Sequence, residues 1–222
     1  MSSKTSKPNS KSGKTSKRSK TSEDWLARQN KDEFVKQAKL KGYRSRAAFK
    51  LLEIQEKDKL ITPGATIVDI GAAPGGWSQI AKELVGEKGF VLAIDVLPVE
   101  SIAGVDIIEG DFSEDEIYQQ LLEKLGERRV NVVISDIAPN LSGIKIADQA
   151  KAMYLVELAL DFAINTLDDN GSFIVKVFHG IGFEEFLKLV RSNFKKVLIR
   201  KPKSSRKESK EVYIVAKQIK RV

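Results

Sequence analysis

A lysine sits in the middle of an apolar run, Phe173-Ile-Val-Lys-Val-Phe178. An ammonium is costly to keep charged in such surroundings, and burial disfavours the charged form of any amine. A lysine held this way can act as general base toward a hydroxyl. The plainer reading is a strand-end lysine whose stem reaches solvent. Val175 before it and Val177-Phe178 after it weigh against that reading. A carboxylate, Asp136, ends a second apolar run in Ile134-Ser-Asp-Ile-Ala-Pro-Asn140. A carboxylate beside the amine would oppose its neutralisation but hold it in place.

A third feature concerns binding. Val68-Asp-Ile-Gly-Ala-Ala-Pro-Gly-Gly-Trp-Ser-Gln79 is an apolar run, a carboxylate, a glycine-rich turn and a helix start. Such a turn is a place for a small polar cofactor. As a dinucleotide fingerprint it is imperfect. Ala73 stands where a second glycine would let a pyrophosphate approach, and Pro74 follows it. Asp95 ends the next apolar run and can accept from two ribose hydroxyls. Asp111, in Gly110-Asp-Phe112, can accept from an adenine amino group, and Phe112 can flank the ring. Either aspartate alone could be an ordinary turn cap. Together with the turn they suit an adenosine that carries a cation, and S-adenosylmethionine fits.

These residues need a scaffold, and the pattern supplies one. Strands are expected over 66–70, 90–95, 105–109, 130–136 and 172–178, with two more over 196–200 and 212–216. Helices are expected over 46–55, 77–84, 114–125, 147–166 and 183–192, with another around Phe34 to Leu40 that begins near Trp25. The runs 130–135 and 173–177 are continuously apolar, as in strands buried on both faces. Repeated βα units imply an α/β fold with a mostly parallel sheet and helices on both faces. Only residues 201–210 separate the last two strands, short for a crossover helix, so a hairpin is expected, and if strand six is parallel to the others the last strand is antiparallel. The hairpin argument brings Glu211 to the rim where open α/β sheets bind ligands. Lys50, on the helix before the first strand, is not placed by the sequence.

The composition narrows the classes. The chain has 222 residues and a hydrophobic fraction of 41%, enough for one domain with a good core. It has no cysteine and one histidine, which removes disulfides and thiolate metal sites and points away from a metal centre. No apolar run approaches the length of a membrane helix, and the basic N-terminus has no apolar core of a secretory signal. The expected compartment is the cytoplasm. The net charge of +8 is uneven. Residues 1–20 hold seven basic side chains and no acids, leaving 31 basic against 30 acidic residues elsewhere. Residues 1–22 read as a disordered basic tail and 23–222 as a single domain. The tail suits a polyanion or is simply a solvated leader.

Five segments carry a resemblance. Arg44-Ser-Arg-Ala-Ala-Phe-Lys-Leu51, Asp69-Ile-Gly-Ala-Ala-Pro-Gly-Gly-Trp-Ser78, Ser135-Asp-Ile-Ala-Pro-Asn140, Lys176-Val-Phe178 and Ser209-Lys-Glu-Val-Tyr213 are similar to the FtsJ/RrmJ family. These are S-adenosylmethionine-dependent RNA ribose 2′-O-methyltransferases. The resemblance runs from about Trp25 to Ala216. It implies a Rossmann-like class I methyltransferase fold, a seven-stranded mostly parallel sheet with one antiparallel strand. It implies a catalytic set of Lys50, Asp136, Lys176 and Glu211, and cofactor contacts at Gly75, Trp77, Asp95, Asp111 and Asp136. The implied acceptor is a uridine ribose in the 23S RNA of the large ribosomal subunit; the sequence leaves the oligomeric state open, with a monomer the default expectation. His179-Gly-Ile-Gly182 departs somewhat from the related loop, and the tail is longer than expected.

Two basic patches are candidates for RNA contact. One is Lys39, Lys41, Arg44 and Arg46 around Tyr43. The other is the hairpin loop with Arg200, Lys201, Lys203, Arg206, Lys207 and Lys210. Contacts of this kind go mostly to phosphates; otherwise the patches are solvated surface. His179 reads as a loop residue rather than a catalyst. Competing readings are 2′-O-methylation of transfer RNA or an RNA cap, a NAD-dependent oxidoreductase on a similar sheet, and a non-catalytic RNA-binding assembly factor.

Overall fold

In the computed structural model, residues 32–140 and 142–221 are described. The expected tail and the expected domain start at residue 23 lie outside them. Two helices come first, α1 (Glu33–Leu40) and α2 (Ala47–Asp58). Then strands and helices alternate: β1 (Thr66–Ile70), α3 (Gly76–Val85), β2 (Phe90–Asp95), β3 (Val105–Glu109), α4 (Asp115–Leu125) and β4 (Val130–Ser135). The series continues with α5 (Lys145–Thr166), β5 (Leu167–Phe178), α6 (Phe183–Asn193), β6 (Phe194–Arg200) and β7 (Glu211–Ile219).

The seven strands form one sheet in the order β3-β2-β1-β4-β5-β7-β6. Neighbours from β3 to β5 are parallel, while β7 is antiparallel to both β5 and β6. The hairpin expected from the short 201–210 connection is therefore present, and β7 is the one strand that opposes the others. It lies inside the sheet rather than at its edge. That position explains why 212–216 is wholly buried.

β5 begins earlier than its apolar pattern indicates. Leu167 pairs with Val130, the register then shifts, and regular pairing resumes at Ser172 opposite Val132. Asp168, Asp169 and Asn170 in this irregular start carry no strand signal.

The alternation of side chains along each strand sorts the core into two layers. Val68, Ile70, Leu92, Ile94, Val133 and Val175 face α4, α5 and α6. Ile67, Ala93, Ile134, Ile174 and Tyr213 face α2 and α3. Stepping two residues at a time along the second face reaches Asp69 on β1, Asp95 on β2, Asp136 just past β4, Lys176 on β5 and Glu211 on β7. The same face that supplies the core thus ends, at the carboxyl rim of the sheet, in polar groups.

Candidate active site

The glycine-rich loop is fixed from several sides. Gly71 has a positive φ of 79°, and a Cβ there would lie 2.6 Å from the Cα of Ile137. Only glycine lets the loop after β1 approach the loop after β4 this closely. Gly75, at φ 106°, precedes the first turn of α3, and a Cβ on it would meet Arg44 and Ile102 at 2.9 Å. Beneath the loop, Asp69 is fully buried and accepts from Ser78 Oγ at 2.6 Å through Oδ2. Its Oδ1 has no hydrogen-bond partner among the described residues. Burial pushes the Asp69 carboxyl up to about 7 against that hydrogen bond, and the carboxylates of Asp136 and Asp95 add to the rise.

A cleft of about 350 Å³ opens over the loop, lined by Gly71, Ala73, Asp95, Asp111, Phe112 and Asp136 among others. Asp95 Oδ2 accepts from the Ala73 N–H at 2.8 Å and Oδ1 from the Leu97 N–H at 2.8 Å. Asp111 Oδ1 accepts from the N–H and Oγ of Ser113 at 2.9 and 2.7 Å. Both aspartates therefore do cap turns, and each keeps lone pairs for a ligand. Neither has an ion-pair partner among the described residues. The Ala73 N–H, which a pyrophosphate would need, is already given to a carboxylate. These donors and charges fit an adenosine bearing a cation and not a dinucleotide phosphate.

Gly75 and Trp77 stand elsewhere. Neither lines the cleft. The Trp77 indole is 2% exposed, donates to the Ala47 carbonyl at 2.8 Å and packs on Tyr213 with centroids 5.6 Å apart. The Trp77 N–H lies in the first turn of α3, where a helix leaves its N–H groups without an intrahelical acceptor.

The four residues of the expected catalytic set meet at the rim. Lys176 Nζ donates to the Asp136 carbonyl and pairs with Asp136 Oδ1 at 3.1 Å. Lys50 Nζ, from α2, pairs with Glu211 Oε1 at 2.8 Å. Tyr213 joins the two pairs. Its hydroxyl donates to Asp136 Oδ1 at 2.8 Å, and Lys50 Nζ lies 5.5 Å over its ring. It is directly opposite Lys176 in the β5–β7 register. Tyr213 was not among the expected site residues, although its place two residues past Glu211, on the same face of one strand, is a signal that finds it.

Charge balance holds this cluster. Burial pushes the Asp136 carboxyl up, but Lys176, Lys50 and the Tyr213 hydroxyl outweigh it and hold it below the usual carboxylate range. Burial raises Glu211 as well, and Lys50 outweighs it. Tyr213 is raised well above the usual phenol by burial, with Asp136 and Glu211 adding to the shift.

The basic patches divide in two. Arg44 donates to the carbonyls of Pro74, Glu100 and Ser101 and so pins the glycine-rich loop. Arg46 donates to the Ser204 carbonyl. Arg200 makes a two-pronged contact with buried Asp58 at 2.8 and 2.7 Å. Lys201 closes its own hairpin on the carbonyls of Ser209 and Glu211. These four are structural ties. Lys39, Lys41, Lys203, Arg206, Lys207 and Lys210 remain exposed.

A mostly parallel sheet with a cleft suited to a cationic adenosine at its carboxyl rim, beside a lysine–carboxylate cluster, fits a methyltransferase. The chain belongs to the FtsJ-like methyltransferase family, whose model matches residues 43–219. It is 58% identical to the ribosomal RNA large subunit methyltransferase E of Marinobacter nauticus, over 90% of this chain and 97% of that one. With the protein of the same name from Stutzerimonas stutzeri the identity is 55%, over 92% and 99%. The fold is also that of a Plasmodium falciparum protein described as a ribosomal RNA methyltransferase, with a TM-score of 0.71 and 29% identity over 80% of this chain and 98% of that one.

Proposed function

We propose that this chain methylates the 2′-OH of a uridine ribose in the 23S RNA of the large ribosomal subunit, using S-adenosylmethionine. The observation that carries the reading is the placement of Asp136. Its residue lines the cofactor cleft, and its carboxylate also holds Lys176 and Tyr213. The site for the donor and the candidate base therefore share one side chain.

Asp95 and Asp111 would accept from the ribose hydroxyls and the adenine amino group, and their uncompensated charge favours a cationic ligand. Gly75 and Trp77 would contribute through the backbone at the start of α3. When bound, the cofactor supplies a methyl group already activated on a sulfonium. The protein's task is then to position and deprotonate the acceptor. Lys176 Nζ, once it has released its ammonium proton to solvent, receives the proton of the ribose hydroxyl as that oxygen takes up the methyl group, and the ammonium so restored stays paired with Asp136. Asp136 orients that amine, while Lys50 and Glu211 hold the ribose. Exposed Lys203, Arg206, Lys207 and Lys210 meet RNA phosphates. The chain acts in the cytoplasm, as a monomer. The Ala73 contact disfavours the NAD-dependent reading, and a complete lysine–carboxylate cluster disfavours a non-catalytic binding factor.

Tritiated methyl transfer to RNA fractions from cells lacking this chain tests the proposal. Label is expected in large-subunit RNA, on one ribose. Label in transfer RNA, or on a base, would falsify it.

A further inference from the structure

A second hollow opens beside the reacting cluster, between the start of α5 and the loop that joins β5 to α6. Its volume is about 780 Å³. It shares Ala138 and Pro139 with the cofactor cleft, so the two adjoin there. Phe178 lines it, and the Phe178 ring centroid is 5.9 Å from Lys176 Nζ. Ile146 and Ile181 line it from facing elements and are each 74% exposed. Apolar side chains left open together around a hollow mark a binding surface.

The walls are held in place. Gln149 Nε2 donates to the carbonyls of Phe178 and Ile181 at 3.4 and 3.1 Å, tying the loop to α5. Gly180 permits this approach, since a Cβ there would lie 3.0 Å from Gln149 Oε1. The His179 N–H donates to the Lys210 carbonyl at 3.0 Å, which seats Lys210 at the rim. The acidic residue of the lining, Asp148, has its oxygens engaged by Ser142 and Gly143. The remaining charged groups of the lining are the cations Lys145 and Lys210.

We propose that this groove receives the pyrimidine base of the nucleotide whose ribose is methylated, turned out of its stack. The inference rests on the acceptor proposed above. The base hangs on the sugar carbon next to the one that carries the 2′-OH. A hydroxyl presented to Lys176 therefore leaves its base close to that amine. The groove meets the cofactor cleft at Ala138 and Pro139, and Phe178 lines the groove but not the cleft. A base taken out of its stack needs an apolar or aromatic face to replace the neighbours it leaves. Lys145 and Lys210 suit the flanking phosphates.

Two arms test this. In the first, the isoleucine δ1 methyls are isotopically labelled and the protein is saturated with S-adenosylhomocysteine. A short single-stranded RNA centred on uridine is titrated in, and then the same RNA with an abasic ribose at the centre. Ring-current shifts at Ile146 and Ile181 with the uridine RNA alone are expected. Equal shifts with both RNAs, or none at these methyls, overturn the proposal, and the second result leaves the groove to a protein partner. In the second arm, the double variant Ile146→Ser, Ile181→Ser methylates large subunits from cells lacking the enzyme. Its KM for subunits should rise about tenfold while cofactor affinity is unchanged. An unchanged KM overturns the proposal. Uridine-specific shifts in a wild-type chain that leaves subunits unmethylated uphold the groove and overturn the ribosomal acceptor.

Discussion

Asp95 and Asp111 of the cleft, and Asp136 and Glu211 of the lysine cluster, share one rim of one sheet, yet their charges are handled in opposite ways. Asp95 and Asp111 are engaged by backbone N–H groups and a serine hydroxyl, with no cation paired to either among the described residues. Asp136 and Glu211 are each paired to a lysine within 3.1 Å. The first arrangement leaves negative charge for a ligand to neutralise. The second is neutralised internally and holds its amines in fixed positions. A cationic donor and a neutral hydroxyl acceptor call for just this division.

The division can be broken from either side. On the proposed reading, Lys176→Ala should lower methyl transfer by roughly 100- to 10,000-fold, the range of a lost general base, with S-adenosylmethionine affinity unchanged by calorimetry. Turnover near wild type would remove Lys176 from the reaction. Asp69 sits at the seam, under the field of both groups. Its carboxyl titrates near 7 when folded and near 4 when unfolded. The folded chain therefore binds the extra proton between those values. Stability should fall as pH rises through that window, by up to about 4 kcal/mol, and level off above it. Asp69→Asn should flatten the slope in urea melts; an equal slope in both proteins would show that Asp69 is ionised throughout. Last, Asp95→Asn should weaken cofactor binding about tenfold, as loss of a charge-assisted hydrogen bond does, with smaller change in the rate at saturating cofactor. A rate loss without an affinity loss would blur the boundary between the two regions.

Much of this architecture is legible in the sequence, because parallel strands buried on both faces write themselves as apolar runs. The bounds of β1, β2 and β3 follow directly from those runs, and the short 201–210 connection predicts the hairpin that brings Glu211 to the rim. What stays hidden depends on packing across the chain. Lys50 reaches Glu211 because α2 crosses this face of the sheet, and no local pattern encodes that crossing. Trp77 looks like a ligand contact in its motif, but its ring is enclosed by the Ala47 carbonyl and Tyr213. Arg44 and Arg200 look like RNA contacts because a basic side chain reads the same whether it faces a phosphate, a carbonyl or Asp58. The start of β5 is hidden for another reason: its residues are polar and irregularly paired.

The position of β7 has a consequence for synthesis. The cleft draws on residues no later than Leu155, whereas the lysine cluster needs Glu211 and Tyr213 from the last strand. Because β7 inserts between β5 and β6, the sheet cannot close until that strand has emerged. A growing chain thus brings out the residues that line its cleft well before the last members of the lysine cluster. The cluster is complete only after nearly all of the described residues have left the ribosome.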